Sequence, residues 1–170
     1  LYQQNSMRDA IVAALSFNIF HKYTERLKMA NIAQIANVLQ SMVLTKGDQM
    51  VLTPTYHVFR MYNVHQDAVH LPLTCDSKSF TDANGRECPV VDATASRNEE
   101  GTVHVTLTNT DLENEAEVIL KIASDSKPKV SGEILTSRNI QDYNDFDDKD
   151  KVRPVEFDDF KVKEGKVVVK

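Results

Sequence analysis

KMANIAQIANVLQSMVL, residues Lys28 to Leu44, is almost free of charge and rich in small and aliphatic side chains, yet it keeps four amides, Asn31, Gln34, Asn37 and Gln40. Ile32, Ile35, Ala36, Leu39, Met42 and Val43 fall on one face at helical spacing, and Met, Ala, Leu and Gln are good helix formers. A short uncharged run is also what a strand buried on both faces of a parallel sheet looks like, and periodicity does not separate the two. Its amides have two readings as well: a structural hydrogen-bond network, or the wall of a site for a polar ligand.

Outward from that stretch the chain changes grammar. On its N-terminal side Ser6 and Asp9 form a variant capping box, and Ile11, Ala14, Leu15, Asn18, Ile19 and Lys22 recur at helical spacing, which predicts a helix from about Met7 to Tyr23. On its C-terminal side Gly47-Asp48 marks a turn. Thr53 and Pro54 then supply a cap and a first helical residue for a helix with Tyr56, Val58, Phe59, Met61 and Tyr62 on its apolar face. From Ala68 onward short alternating runs are separated by turn signals, the pattern of an antiparallel sandwich. The predicted strands are Ala68 to Thr74, Val90 to Ser96, Thr102 to Thr108, Ala116 to Ala123, Lys129 to Thr136, Glu156 to Val162 and Lys166 to Val169. In the third, Val103, Val105 and Leu107 are expected to face the core, and Thr102, His104, Thr106 and Thr108 to face out. Asn84-Gly85 and Glu100-Gly101 read as turns, and the acidic segment Asn139 to Asp150 as a long loop. A boundary near Gln66 therefore divides a mixed helical part, residues 1–66, from an all-β part, residues 67–170.

Composition narrows the function classes. The 170 residues are 41% hydrophobic, enough for a packed core, and 20 basic against 25 acidic residues give a net charge of −5 with no basic cluster. A nucleic-acid partner is not expected on that balance. No apolar run approaches the roughly 18 residues of a membrane span, so no membrane partner is expected either. The first ten residues lack the layout of a signal peptide. Cys75 and Cys88 stand in unlike surroundings, and their pairing stays open.

Residues that carry chemistry are sparse. Glu99-Glu100, Asp147-Asp148 and Asp158-Asp159 are adjacent acids in loops or at strand ends, and a catalytic pair needs two different environments to split its pKa values. They read as solvated turn residues. Asp145, Asp147 and Glu156 match three positions of a calcium loop, but Lys149 and Asp150 break the pattern. His57 and His65, eight apart on the second predicted helix, lack the i, i+4 spacing of a zinc motif and read as surface or partly buried side chains. His21, His70 and His104 have no partner in sequence, and no serine sits in a nucleophile-elbow pattern. The residues themselves name no catalytic centre. Five tyrosines without a tryptophan leave sugar stacking open, although Tyr56 and Tyr62 read as core.

Longer blocks say more. Gln3 to Phe20 (QQNSMRDAIVAALSFNIF), Arg26 to Thr45 (RLKMANIAQIANVLQSMVLT), Thr53 to Tyr62 (TPTYHVFRMY), Asp92 to Asp111 (DATASRNEEGTVHVTLTNTD) and VSGEILTS at Val130 to Ser137 closely resemble, in order, the C-terminal portion of α-L-arabinofuranosidases of glycoside hydrolase family 51. The resemblance implies a mostly β chain: an antiparallel jelly-roll-type β-sandwich preceded by a helical remnant of a (β/α)8 barrel. It also implies a retaining, exo-acting enzyme whose two carboxyl groups stand about 5 to 5.5 Å apart. Neither the Gly-Asn-preceded acid/base glutamate nor the Asp-Glu-Trp-type nucleophile segment of that family occurs here.

The chain is thus expected to start after the seventh barrel strand, to lack one sandwich strand after Lys170, and to be inactive alone. In the intact enzyme the resemblance implies arabinose-containing oligo- or polysaccharide as partner and no cofactor, with a homo-oligomer possible. It assigns no catalytic residue and no metal ligand to this chain. It places Gln34 at the C-terminal end of the last barrel strand, hydrogen-bonded to the first-subsite sugar. The competing class is a non-catalytic sugar-binding or oligomerisation module. A lone parallel strand would bury unpaired backbone groups at about 1 to 3 kcal/mol each, so Leu27 to Leu44 is predicted to become helical when severed from its barrel.

Overall fold

A computed structural model describes residues 5–32, 35–122, 128–163 and 166–170. The first helix, α1, runs Met7–Lys22. Its start follows the capping box: the Asp9 carboxylate accepts both the Ser6 N–H, at 2.8 Å, and the Ser6 hydroxyl, at 2.9 Å. Strands β1 (Val43–Lys46) and β2 (Gln49–Leu52) then form a hairpin, with Gly47 at φ 61° taking the first position of its two-residue turn. Helix α2, Pro54–Tyr62, is capped by Thr53, whose hydroxyl accepts the Tyr56 N–H at 3.3 Å, and passes into a 3-10 turn at Asn63–His65.

Among the described residues ten strands follow, all paired antiparallel: β3 (Val69–His70), β4 (Ser79–Thr81), β5 (Glu87–Pro89), β6 (Val91–Arg97), β7 (Val103–Asn109), β8 (Val118–Lys121), β9 (Gly132–Ile134), β10 (Val155–Phe157), β11 (Phe160–Lys163) and β12 (Lys166–Val169). Two sheets have three strands, in the orders β3-β6-β7 and β11-β12-β8, while β4-β5 and β9-β10 are ribbons. The chain is therefore mostly β with several antiparallel sheets behind a helical start. Of the predicted strands, Glu156 to Val162 divides into β10 and β11, and β4 and β5 arise in a stretch without strong alternation.

The stretch predicted to be helical is not. Residues 27–32 are irregular, residues 35–42 form bends and turns, and Val43 already belongs to β1. Two left-handed residues, Asn37 at φ 56° and Gln40 at φ 59°, are incompatible with a right-handed helix. The backbone groups thought to lack partners find them locally. Met42 and Val43 both donate to the Ile35 carbonyl at 3.0 Å, Asn37 donates to the Val43 carbonyl at 3.1 Å, and Thr53 to that of Met42 at 3.1 Å. Pairing β1 back onto β2 removes the cost that had argued for a helix.

The core lies first between the helices, where Ala10, Ala14, Val58 and Tyr62 are buried, with Met7, Ala13, Phe17 and Leu135 packed around them. Small residues at positions 10 and 14 let α2 approach α1 closely. The inward face of α1 is thus Ala10, Ala14 and Asn18; Ile19, placed on the apolar face by periodicity, is 51% exposed. The acidic segment after Asn139 is a loop, as predicted, and it is tightly held. Asn144, buried, donates to the carbonyls of Leu52 and Val152 and accepts the Val152 N–H, so the loop closes on itself and grips the β1-β2 hairpin.

Candidate functional site

Gln34 lies outside the described residues, so the surroundings built by its neighbours carry the description. Asn37 and Gln40, two of the four amides of the stretch, serve structure. Asn37 Nδ2 donates to Thr45 Oγ1 at 2.8 Å, and its Oδ1 accepts the Thr45 N–H at 2.9 Å. Gln40 Nε2 reaches the Asp9 carboxylate at 3.4 Å, joining the loop to the first turn of α1. Asn31 is exposed. Ser41, fully buried, offers its carbonyl to Asn5 Nδ2 at 2.6 Å and to the Thr53 hydroxyl at 2.9 Å, which ties the same loop to the first turn of α2. The N-termini of both helices therefore meet at one loop, residues 35–45. In α1 the first-turn N–H groups of Met7 and Arg8 are taken by the carbonyls of Asp142 and Ile140, and in α2 that of Tyr56 by the Thr53 hydroxyl, so these helix starts are capped from within the chain.

Asp9 belongs to that end. Burial alone would raise the pKa of its carboxyl, but hydrogen bonds from Ser6 and Gln40 and the charge of Arg8 hold it below the ordinary 3.8. It stays ionised and structural. Of the acidic pairs, Asp147 and Asp148 donate their N–H groups to the Asp145 carboxylate in a turn, and Glu99 and Glu100 lie in the exposed β6-β7 turn. Among the described residues no three His, Cys, Asp or Glu side chains converge in a way that would hold a metal ion. Cys75 and Cys88 are free thiols.

The histidines are where sequence reading missed most. His57 and His65 are both buried, not surface side chains, and His65 lies in the 3-10 turn beyond α2. His57 has no hydrogen-bond partner on either ring nitrogen among the described residues, and burial together with the Arg60 charge lowers its pKa. His65 pairs through Nδ1 with Ser96 Oγ and through Nε2 with Thr106 Oγ1, each at 2.7 Å, and His21 Nδ1 lies 3.1 Å from Thr94 Oγ1. Thr106 and Thr108, expected on the solvent face of their strand, instead look toward the helices, and Thr108 is buried. Strand β6 is covered on both sides, with Ala93 and Ala95 on one face and Thr94 and Ser96 on the other. Alternation of polar and apolar residues could not reveal that the polar face is also covered.

At the 35–45 end the described residues form a hydrogen-bonded junction between the loop and both helix starts. No helix among them is long and apolar enough to cross a membrane.

Comparison with known proteins gives this arrangement relatives. The family model described as the α-L-arabinofuranosidase C-terminal domain matches residues 1–170. An intracellular exo-α-L-arabinofuranosidase of Bacteroides ovatus is 52% identical over 172 residues, a match that covers 100% of this chain and 33% of that relative. The crystal structure of the family 51 arabinofuranosidase from Xanthomonas axonopodis pv. citri superposes with a TM-score of 0.93 at 44% identity, over 99% of this chain and 34% of that one. A family 51 α-L-arabinofuranosidase of Bifidobacterium longum shares the fold, with a TM-score of 0.88 at 17% identity, over 99% of this chain and 34% of its own. The chain spans about a third of the length of each of these relatives.

Proposed function

The chain belongs to the α-L-arabinofuranosidase C-terminal domain family of glycoside hydrolase family 51 enzymes, and from that premise we propose that it is the C-terminal part of an exo-acting, retaining α-L-arabinofuranosidase that removes terminal arabinofuranosyl residues from arabinan or arabinoxylan. One observation carries the reading: the whole chain aligns at 52% identity with an exo-α-L-arabinofuranosidase while covering only 33% of it. Both catalytic glutamates are then supplied by the longer protein, and the part described here contributes scaffold and one edge of the sugar site. Residues 1–66 are the end of the catalytic barrel and residues 67–170 the sandwich, a division supported by the change from helices to strands after His65.

Gln34 is proposed to hydrogen-bond the arabinofuranose in the first subsite. What supports this is the meeting of both helix N-termini at the loop that follows it. In a barrel of alternating strands and helices, helices begin at the C-terminal end of the strands, which is the active face.

The longer protein, incubated with linear arabino-oligosaccharides, is expected to release arabinose one unit at a time with the anomeric configuration kept in the first-formed product, as followed by proton NMR. Internal cleavage, or inversion, would overturn the reading. In the same protein Gln34→Ala is expected to lower kcat/KM about tenfold or more, the equivalent of one lost hydrogen bond to the sugar.

A further inference from the structure

Four of the five histidines gather at the seam between the helices and the sheet. Across the three-stranded sheet one register row reads His70, Ser96, His104, from β3 through β6 to β7, and paired residues of one row project from the same face. His65 sits on the middle of that row, bonded to Ser96, so a histidine flanks it on each side. From above, α1 brings His21 to a ring-centroid distance of 5.0 Å and α2 brings Tyr62 to 5.6 Å. The described carboxylate on this face, Asp92, stands two same-face positions along β6 from Ser96. It is already engaged by Lys22 Nζ at 3.2 Å and by Asn18 Nδ2 at 3.2 Å.

We propose that His65 is an acid-operated latch: neutral, it pins the turn after α2 to β6 and β7, and protonated, it parts the helical layer from the sheet. The two hydroxyls it touches suit a neutral imidazole in either tautomer, because a serine or threonine hydroxyl donates or accepts. An imidazolium in the same place loses its hydration, finds no free counter-ion among the described groups named above, and lies against His21, His70 and His104. Burial first, and those three histidines next, push the pKa of His65 down to about 4. His21 is held low by burial and by His70. The sign follows. A histidine whose pKa is about 6.5 when unfolded and depressed when folded contributes its full stability above the unfolded value, and that contribution is lost as pH falls toward the folded value. Opening lets His65 and His21, both held low in the closed seam, take up protons together, so the transition is steeper than that of a single site.

The test follows the histidine ring resonances of the 170-residue chain by NMR from about pH 8 to about pH 3.5, with the assigned Tyr62 ring resonances reporting on the seam. The His65 resonance is expected to stay neutral until below about pH 5 and then to change together with loss of the Tyr62 environment. His65→Gln, which keeps one donor and one acceptor, is expected to move the acid midpoint down by about one pH unit and to make the transition shallower. His70→Gln leaves both His65 hydrogen bonds in place and is expected to raise the pH at which His65 takes its proton. Titration of His65 near 6.5 with the seam intact would overturn the proposal. So would an acid midpoint unchanged in His65→Gln, or a His65 titration unmoved in His70→Gln.

Discussion

Asn37 and Thr45 clasp each other in both directions, side-chain amide to hydroxyl at 2.8 Å and backbone N–H to side-chain carbonyl at 2.9 Å, across a loop whose Asn37 has φ 56°. Asparagine tolerates the left-handed region better than other side chains of its size, and here its own side chain also closes the loop. Asn37→Ala should lose both bonds and strain the backbone, at about 1 to 2 kcal/mol in urea unfolding, while Asn37→Gly should cost less because glycine takes that φ freely. Equal costs for the two would show that the backbone conformation contributes nothing.

A second asparagine carries more. Asn144 is 1% exposed and satisfies two carbonyls and one N–H, at 2.7 to 2.9 Å. Asn144→Ala leaves all three groups buried and unpaired, and should cost about 3 kcal/mol, read as a lowered urea midpoint with unchanged slope. Asn144→Asp keeps the shape but sets a carboxylate against two carbonyls, and is expected to be no more stable than the alanine variant.

Tyr62 ties the helices together. Its hydroxyl, buried, donates to Asn18 Oδ1 at 2.7 Å and lies 3.1 Å from the Ala14 carbonyl, and burial drives its pKa far above the usual phenol range. Tyr62→Phe should keep the ring packing with Phe17 and lose about 1 to 2 kcal/mol from the hydroxyl. Loss of thermal stability comparable to that of Tyr62→Ala would contradict this division between ring and hydroxyl.

The capping carboxylate has its own pH signature. Asp9 has a pKa below 3.8 when folded, so its contribution is complete above the unfolded value and is lost as pH falls through the folded one. Asp9→Asn should therefore destabilise the chain by about 1 kcal/mol at neutral pH, and the difference from the parent should vanish in strong acid. A difference that persists unchanged below about pH 3 would remove the ionised form from the explanation.

Much of the fold was legible because local signals were strong. Ser6 with Asp9, Thr53 with Pro54, and the glycines at 47, 85 and 101 carry their own geometry, and all three glycines have positive φ. The family resemblance, too, was readable from long ordered blocks. What misled was the stretch of residues 28–44, whose helical spacing was outweighed by two left-handed amide residues and by pairing with a segment beyond Gly47. The seam was illegible for a different reason. Its residues, His21, His65, Thr94, Ser96 and Thr106, are polar and far apart in sequence, and polar alternation on a strand signals a solvent face whether water or a helix covers it. Gln34 came from resemblance alone, and no spacing in the sequence marks it.

The central proposal, as above, is that this chain carries one edge of the sugar site of a longer arabinofuranosidase and neither catalytic carboxylate. It is tested most directly by assaying the purified 170-residue chain beside the longer protein on an aryl α-L-arabinofuranoside. Turnover by the longer protein and none by the chain is the predicted result. Appreciable turnover by the chain itself would place catalytic acids among its own residues and contradict the account.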